Sequence, residues 1–407
     1  MTILVPNYIL TPDILLADKA IAFDKTIRCI GVLEELEQKF PEAKIIQLQK
    51  NSLLMPGLIN AHVHVEFSAN KNQLSYGDFL NWLYSVIENR EDLIAGCDLT
   101  CMDKAIDAML TSGITTFGAI SSHAMDLEAC INAQQNVVFF NELIGSQAGM
   151  ADALFSDFLA RLDASKAVQR EGFYPAVAIH SPYSVHPILI QKALEIVKNE
   201  NLKLTAHFME SEAERNWLDS SSGDFKEFFK TLLKQDRSIS DAKEFLNYFD
   251  GFEALLTHAV KTNEEELEKI AEQNHTIIHC PISNRLLGNP TLNIKKLDEK
   301  KIRWIVATDG LSSNYQLDLF EEMKISLFMH SDAPLLKFAK QLIKGVTVHA
   351  AQALGLNTGE ILEGKNADML VLDLDAEPNE ELAIHLILHR YNISKVFING
   401  KLAKGNE

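Results

Sequence analysis

Two histidines stand two residues apart in the stretch PGLINAHVHVEFS, which runs from Pro56 to Ser68. Residues two apart in a β-strand point to the same face, so His62 and His64 would present two imidazoles in one direction. Such a pair is compatible with a metal site and equally with two ordinary histidines. The other residues that can do chemistry must decide between these interpretations.

Further histidines and carboxylates follow apolar, β-rich runs along the chain. They stand where each run ends, in the order His62 and His64, His180, His207 with Glu210 three residues on, His258, His279 and Asp309. Any one of these histidines alone is most often a surface or satisfied core residue. Six of the 13 histidines, however, stand at the ends of such runs, and this recurrence indicates a functional site.

Nitrogen ligands with a carboxylate and few thiols suit Zn²⁺ or another divalent transition metal. Three nitrogens and one oxygen would come from His62, His64, His207 and Asp309, which leaves room for a water. A bound divalent metal lowers the pKa of its water to about 7, which favours hydrolytic chemistry. Glu210 would be the proton shuttle. Its alternative interpretation is a solvated glutamate at the start of a helix.

The elements that must position these residues alternate between strands and helices. The β-rich runs are LLMPGLINAHVH, GITTFGAISS, NVVFFNELIG, YPAVAIHSPY, LKLTAHFMES, EALLTHAV, TIIHCPISN and RWIVATDGLSSN. Amphipathic stretches such as NEEELEKIAEQN lie between them. This alternation predicts an α/β fold, a (β/α)8 TIM barrel over residues 55–358, with its chemistry at the carboxyl ends of the strands. An open doubly wound sheet is the alternative, but no Gly-x-Gly-x-x-Gly follows a strand.

The two flanks differ from the barrel. Short β-rich runs occur in residues 1–54 (AIAFDKTIRCIGV, AKIIQLQ) and in residues 359–407 (ADMLVLDLD, VFINGKLAKG). We expect the flanks to meet in one small β domain beside the barrel.

Composition excludes several classes of protein. The chain has 407 residues and a net charge of −18, which disfavours nucleic acid and anionic membranes as partners. No apolar run is long enough to span a membrane, and the N-terminal residues do not read as a signal peptide. The 5 cysteines are scattered, which predicts reduced thiols in a cytoplasmic protein. The motifs of serine hydrolases, P-loop proteins, zincin proteases and cytidine-type deaminases are missing.

The motifs PGLINAHVH, HSPYSV, AHFMES, LTHAV, HCPISN and ATDGLSSN occur in this order. Together they resemble the amidohydrolase superfamily, in particular its branch that deaminates purines and adenosine-like nucleosides. The resemblance covers nearly the whole chain.

The resemblance implies roles for individual residues. The metal ligands would be the four named above, and Glu210 would pass a proton from water to the purine. His258, beside Asp309, would orient the attacking water. His180 would touch the substrate, and Ser313 with Asn314 would line the same mouth. The fourth strand ends in a histidine instead of the bridging lysine of two-metal relatives, so one divalent metal is implied, with zinc favoured and Fe²⁺ as the alternative.

The substrate is read from the loops. Nucleoside-deaminating members have a tryptophan and, nine residues later, a glutamate facing the sugar, and here these are Trp82 and Glu91. A carboxylate accepts two hydrogen bonds from a ribose diol. The alternatives are that Trp82 belongs to the core and Glu91 to a solvated helix end.

The motifs NAHVHVEFSANK, YGDFLNWL and CPISNRLL resemble most the members that act on 6-amino-6-deoxyfutalosine, in a route to menaquinone. That substrate carries a carboxyphenyl ketone at its 5′ end. Arg285 is predicted to form an ion pair with this carboxylate, and Arg215 is a second candidate. The alternative is that each arginine has a structural role and holds a loop in place. The stretch NELIGSQAGMADALFSDFLA has no basic residue, which weakens S-adenosylhomocysteine as the main substrate.

We therefore expect hydrolytic deamination of a small-molecule 6-aminopurine nucleoside to the 6-oxo purine and ammonia, with methylthioadenosine and S-adenosylhomocysteine as further substrates. Another hydrolase of this fold, such as a chlorohydrolase or guanine-type deaminase, is one alternative. A non-catalytic scaffold is the other. The sequence is compatible with a homodimer.

Overall fold

A computed structural model describes residues 1–12, 14–70 and 73–406. The N-terminal flank forms short strands and one helix, namely β1 (Thr2–Val5), β2 (Tyr8–Leu10), β3 (Leu15–Ala17), β4 (Ala20–Phe23), β5 (Ile27–Gly31), α1 (Leu33–Lys39), β6 (Lys44–Gln47) and β7 (Ser52–Pro56). Strands β5, β4, β1 and β6 form a four-stranded sheet in that order.

The middle of the chain forms a parallel sheet of eight strands in sequence order. These are β8 (Leu58–Val63), β9 (Ile114–Ser121), β10 (Asn136–Leu143), β11 (Phe173–Ile179), β12 (Leu204–Phe208), β13 (Ala254–His258), β14 (Thr276–His279) and β15 (Arg303–Val306). Nearly every strand residue is buried, as expected when helices cover the outside of a sheet and side chains fill the inside. The predicted barrel is confirmed, and each strand lies within one of the eight predicted runs except β11, which begins at Phe173, one residue before its run.

The barrel closes between its first and last strands through a few specific hydrogen bonds. The buried Asn60 side chain donates to Thr308 Oγ1 (2.7 Å) and accepts from the Thr308 backbone N–H (3.1 Å). The Asp309 N–H donates to the His62 carbonyl (3.2 Å). Two predicted metal ligands are thereby joined through their backbones.

Helices occupy the connections between barrel strands and the segment that follows the last of them. They are α2 (Phe79–Glu88), α3 (Arg90–Gly96), α4 (Leu99–Thr111), α5 (Leu127–Asn132), α6 (Ala151–Ala167), α7 (Pro187–Glu200), α8 (Glu212–Ser220), α9 (Asp224–Leu233), α10 (Ala242–Tyr248), α11 (Glu264–Glu272), α12 (Pro281–Leu286), α13 (Ile294–Glu299), α14 (Leu319–Met329), α15 (Leu335–Gly345) and α16 (Val348–Leu354). Short 3₁₀ helices cover Val65–Phe67 and Ala148–Met150. Several helix starts carry side-chain caps, such as the capping box of Asn263 and Glu266 at α11. In the described part of the chain, no helix combines the length and apolarity that crossing a membrane requires.

The C-terminal flank adds β16 (Met369–Asp373), α17 (Leu382–Leu388), β17 (Asn392–Ile398) and β18 (Lys401–Lys404). A six-stranded sheet has the order β18-β17-β16-β7-β2-β3, so strands from both ends of the chain share it. The central pair, β7 and β16, is antiparallel, with Pro56 opposite Met369. The domain division at residues 54 and 359 stays a prediction.

The flank sheet leads directly into the first barrel strand. Only Gly57 separates β7 from β8, and a Cβ atom at this position would lie 2.1 Å from Thr115 Oγ1. Glycine is therefore required by close packing. The apolar, glycine-containing approach to His62 is thus a strand of one sheet that continues into a strand of another.

Candidate active site

Three imidazoles and a carboxylate converge at the carboxyl ends of the barrel strands. His62 lies in β8, His64 follows it, His207 lies in β12 and Asp309 follows β15. The Nε2 atoms of His64 and His207 are 3.4 Å apart. Asp309 Oδ1 is 3.6 Å from the Nε2 atoms of both His62 and His64. One ring nitrogen from each of the three histidines lies within 4.8 Å of the other two, a spacing that could hold a metal ion.

The donor set fits a divalent transition metal. Among the described residues, His62 Nε2 is buried and has no hydrogen-bond partner, although burying a polar atom without a partner costs free energy. The opposite ring nitrogens face other groups, since His62 Nδ1 lies 3.2 Å from Thr257 Oγ1 and His207 Nδ1 lies 2.9 Å from the His180 carbonyl. This is the arrangement in which outer partners fix the ring orientation of ligating histidines.

The Asp309 carboxylate is held by hydroxyl groups. Its Oδ2 atom accepts from Ser283 Oγ (2.7 Å) and Ser313 Oγ (2.8 Å), and its Oδ1 atom accepts from the Gly310 N–H (2.8 Å). Ser313 was predicted to line the mouth of the site. It is buried and lies against Asp309 instead, so its contact is with the carboxylate.

Glu210 and His258 form the second part of the site. Glu210 Oε1 lies 3.5 Å from His258 Nε2, and Glu210 is 7% exposed. Burial raises the pKa of Glu210 well above its usual range, and the charges of Asp309 and Glu214 raise it further. Burial lowers the pKa of His258 to about 4, so this imidazole is neutral at pH 7. A neutral His258 that donates from Nδ1 to Asn284 Oδ1 (3.0 Å) presents Nε2 as an acceptor.

A cavity of about 550 Å³ opens above these groups, and this volume suits a nucleoside. Its polar floor consists of His64, His180, His207, Glu210, His258 and Asp309. Its apolar wall includes side chains from α2 and its surroundings, namely Phe67, Phe79, Trp82, Leu83, Val86 and Ile87. The site can therefore hold a planar ring over the polar floor and an apolar extension along the wall.

Two of the predicted substrate-contacting residues line this cavity. The Trp82 ring does so, and its Nε1–H donates to the Ser312 carbonyl (2.8 Å), which fixes the indole. His180 also lines it, with Nδ1 only 2.6 Å from Ser184 Oγ. Burial lowers the pKa of His180 to about 4. Asn314 is buried, and its side-chain amide donates to Glu322 Oε1 (2.5 Å) and to the Thr308 carbonyl.

The structure does not bring Glu91 or Arg285 to the cavity. Helix α2 ends at Glu88, and Glu91 lies exposed on the separate helix α3. Arg285 is exposed on α12, whose buried side carries Ser283 and Asn284. Neither is among the described residues that line the cavity. Their substrate contacts stay predictions without support from this geometry.

Arg215 and His279 are engaged elsewhere. Arg215 pairs with Asp219 and with Glu266 (2.7 Å to Oε1), so it pins α8 to α11. His279 is buried with its Nε2 atom 3.2 Å from His330 Nε2. Of the six histidines at strand ends, His279 is the one that faces away from the cluster.

Glu142, which was not predicted as a site residue, lies in β10 near its carboxyl end and also lines the cavity. It is 1% exposed, and its Oε2 atom accepts from Ser122 Oγ (2.5 Å). Its Oε1 atom lies 3.9 Å from His207 Nδ1. Glu142, His180 and His207 form a second group whose spacing could hold a metal. In the sequence, NELIG places this carboxylate at the end of its strand, at the same rim as the histidines.

The chain is similar in sequence and in structure to several known proteins. A family model described as amidohydrolase family matches residues 53–403. The chain is 49% identical over 403 residues to a protein of a Nitratiruptor species named aminodeoxyfutalosine deaminase, covering 98% of this chain and 99% of that one. It is 35% identical over 392 residues to a Helicobacter pylori protein named adenosine deaminase, covering 95% of each. The crystal structure of Helicobacter pylori aminofutalosine deaminase in complex with methylthio-coformycin is similar, with a TM-score of 0.93, 33% identity, and coverage of 99% of this chain and 100% of that chain.

Proposed function

Because the chain belongs to the amidohydrolase family, we propose that it is a metal-dependent deaminase of 6-aminopurine nucleosides, with 6-amino-6-deoxyfutalosine as its preferred substrate. The products are the 6-oxo purine nucleoside and ammonia. The observation that carries this proposal is the placement of a buried glutamate and a neutral histidine, Glu210 and His258, beside the cluster of ligand atoms in one nucleoside-sized cavity. The names of the two full-length relatives support the substrate class.

One divalent cation would be held by His62, His64, His207 and Asp309. Their nitrogen and oxygen donors favour zinc, and Fe²⁺ suits the same donors. When bound, such an ion lowers the pKa of its water towards neutrality.

The chain's own groups move the protons. Glu210 takes a proton from the attacking water and delivers it to N1 of the purine, a transfer that its raised pKa favours because the carboxyl group can hold the proton. This protonation makes C6 accept the water oxygen. His258 accepts a hydrogen bond from the attacking water through Nε2 and so aims it at C6. A second proton transfer to the amino group releases ammonia, and the 6-oxo ring remains.

The Glu210→Gln variant tests this proposal. We expect kcat/KM to fall by roughly a hundred- to ten-thousandfold, because the amide cannot carry the proton, while the bound metal stays unchanged. Turnover is followed by the ultraviolet absorbance change of the purine and by ammonia release. Glu212→Gln is the matched control, since Glu212 is exposed on α8 and pairs with Lys261. Activity of Glu210→Gln within tenfold of wild type would remove this carboxyl group from the mechanism.

A comparison of substrates tests the reaction class. The wild-type enzyme should release ammonia from adenosine-type nucleosides. Turnover of a chlorinated or amide substrate without ammonia release from any 6-aminopurine nucleoside would instead identify another hydrolase of this fold.

A further inference from the structure

The cavity contains two arginines that no prediction from the sequence singled out, Arg90 and Arg161. They differ in how their guanidinium groups are used. Arg161 Nε donates to Asp157 (2.9 Å) and its Nη2 donates to the Glu142 carbonyl (3.0 Å). Its side chain is 13% exposed, so this arginine is committed to neighbouring groups of the protein.

Arg90 is not committed to a carboxylate. It is exposed at the start of α3, and its Nη2 lies 3.1 Å from Nε2 of His123. Among the described residues, Arg90 forms no ion pair with an aspartate or glutamate. An arginine on a cavity wall with free donors can bind a carboxylate through two parallel hydrogen bonds.

His123, the residue that Arg90 contacts, is held in place by the buried carboxylate of Glu66. The Glu66 side chain accepts from the backbone N–H groups of Ser122 (2.8 Å), His123 (3.0 Å) and Met125 (2.9 Å). Glu66 is 1% exposed and stands in the 3₁₀ helix directly after His64. The loop that carries His123 is therefore held against the segment that bears two of the metal-ligand candidates, so the position of the arginine site relative to the reacting end is set by the fold.

An apolar wall lines the same cavity as Arg90 and the polar floor. Phe67, Trp82, Val86 and Ile87 contribute to it. A ligand that reaches from the floor to Arg90 along this wall needs an apolar or aromatic body and an anionic end. A purine over the floor would direct its 5′ substituent along this wall.

We infer that Arg90, supported by His123, determines specificity by binding a carboxylate at the end of an aryl 5′ substituent of the nucleoside. This inference rests on the proposed function and deepens it. It replaces Arg285 with Arg90 as the anchor, because Arg90 lines the cavity and Arg285 does not.

Steady-state kinetics with two substrates test the inference. In Arg90→Met, kcat/KM for 6-amino-6-deoxyfutalosine should fall by roughly ten- to a hundredfold, which is the range for a lost hydrogen-bonded charge partner. The loss should appear in KM, with kcat nearly unchanged. For 5′-methylthioadenosine, which has no carboxylate, kcat/KM should stay within threefold, and Arg90→Lys should recover part of the loss.

Two further variants sharpen the result. Arg237→Met is the control, since Arg237 is exposed between α9 and α10 and lies outside the cavity. Arg285→Met tests the alternative anchor, and its kcat/KM values on both substrates should equal those of wild type. An equal loss on both substrates in Arg90→Met would overturn the inference, and so would a selective loss in Arg285→Met.

A measurement of product binding tests the role of Arg90 independently of the proposed reaction. By calorimetry, wild type should bind futalosine, the carboxylated 6-oxo product, at least tenfold more tightly than inosine, and Arg90→Met should lose most of that difference. Equal binding of both compounds by wild type overturns the role of Arg90 even if deamination is observed. Absence of ammonia release from every adenosine-type compound overturns the proposed reaction, whereas the binding comparison still decides the role of Arg90.

Discussion

Gly310 packs against a metal-ligand candidate so closely that a single methyl group should disturb the site. A Cβ atom at this position would lie 2.9 Å from His64 Cβ and 3.2 Å from the His64 carbonyl oxygen. Neither atom is the end of a flexible side chain. The Gly310→Ala substitution must therefore push β8 and the segment after β15 apart.

The size of the effect follows from these distances. Ordinary contacts of a Cβ atom begin at 3.4 Å, so His64 must move by about 0.5 Å relative to Asp309. Overpacking of this kind costs roughly 1–3 kcal/mol. A site of this kind needs its groups held within about 0.5 Å. We expect metal affinity to fall by roughly ten- to a hundredfold, as it does when the support of a ligand is lost.

Metal affinity is measured by competition with a chromophoric chelator, and thermal unfolding checks that the variant is folded. Gly149→Ala is the control, because no atom lies within 4 Å of a Cβ built at Gly149. A Gly310→Ala protein that keeps its metal within twofold of both wild type and this control would refute the reasoning from packing.

Two further predictions concern the framework of the site. Asn60→Ala should lower the free energy of unfolding, measured in urea, by roughly 2–4 kcal/mol, because it leaves the buried hydroxyl and backbone N–H of Thr308 without hydrogen-bond partners. A loss below about 0.5 kcal/mol would contradict this expectation. Glu214 is buried and accepts from the N–H groups of Met209 and Glu210, and burial raises its pKa to about 7, although these hydrogen bonds lower it. A carboxyl group whose pKa is raised on folding stabilises the protein below its unfolded pKa of 4.5, and that stability is lost as the pH rises through about 7. The unfolding free energy of wild type should therefore fall between pH 5 and pH 8 by on the order of 2 kcal/mol more than that of Glu214→Gln, and parallel pH curves would contradict the raised pKa.

The barrel was predictable because each strand is a short apolar run that ends in polar or turn residues. Buried parallel strands need apolar side chains on both faces, so the pattern is strong and local. The cluster was predictable for the same reason, since His207 and Asp309 end their strands at the rim where His62 and His64 stand. Equivalent positions in parallel strands meet in space however far apart they lie in sequence.

The residues that form the cavity wall were less predictable, because they depend on where helices end and turn. The run YGDFLNWLYSVIENRED reads as one helix, but Asn89 caps α2 and Arg90 begins α3. That break places Arg90 on the cavity wall and Glu91 outside it. Periodicity within a helix does not show a change of axis between two helices.

Glu142 shows a different limit. Its strand end was identified, but a glutamate in an acidic protein carries little information without its burial. Only packing shows that this carboxylate is enclosed beside His207. The hydrogen bonds from a distant loop to Glu66 were likewise not readable, because backbone donors have no signature in sequence.

The pairing of β7 with β16 determines when the six-stranded flank sheet can form during translation. Strand β7 leaves the ribosome roughly three hundred residues before its partner, and contacts so distant in sequence form slowly. Because only Gly57 separates β7 from the strand of His62, the first barrel strand stays anchored on one side alone until β16 has been synthesised. A ribosome-bound chain that lacks its last forty residues should therefore hold its histidines loosely, and shortening the carboxyl terminus should impair metal capture although no ligand is removed.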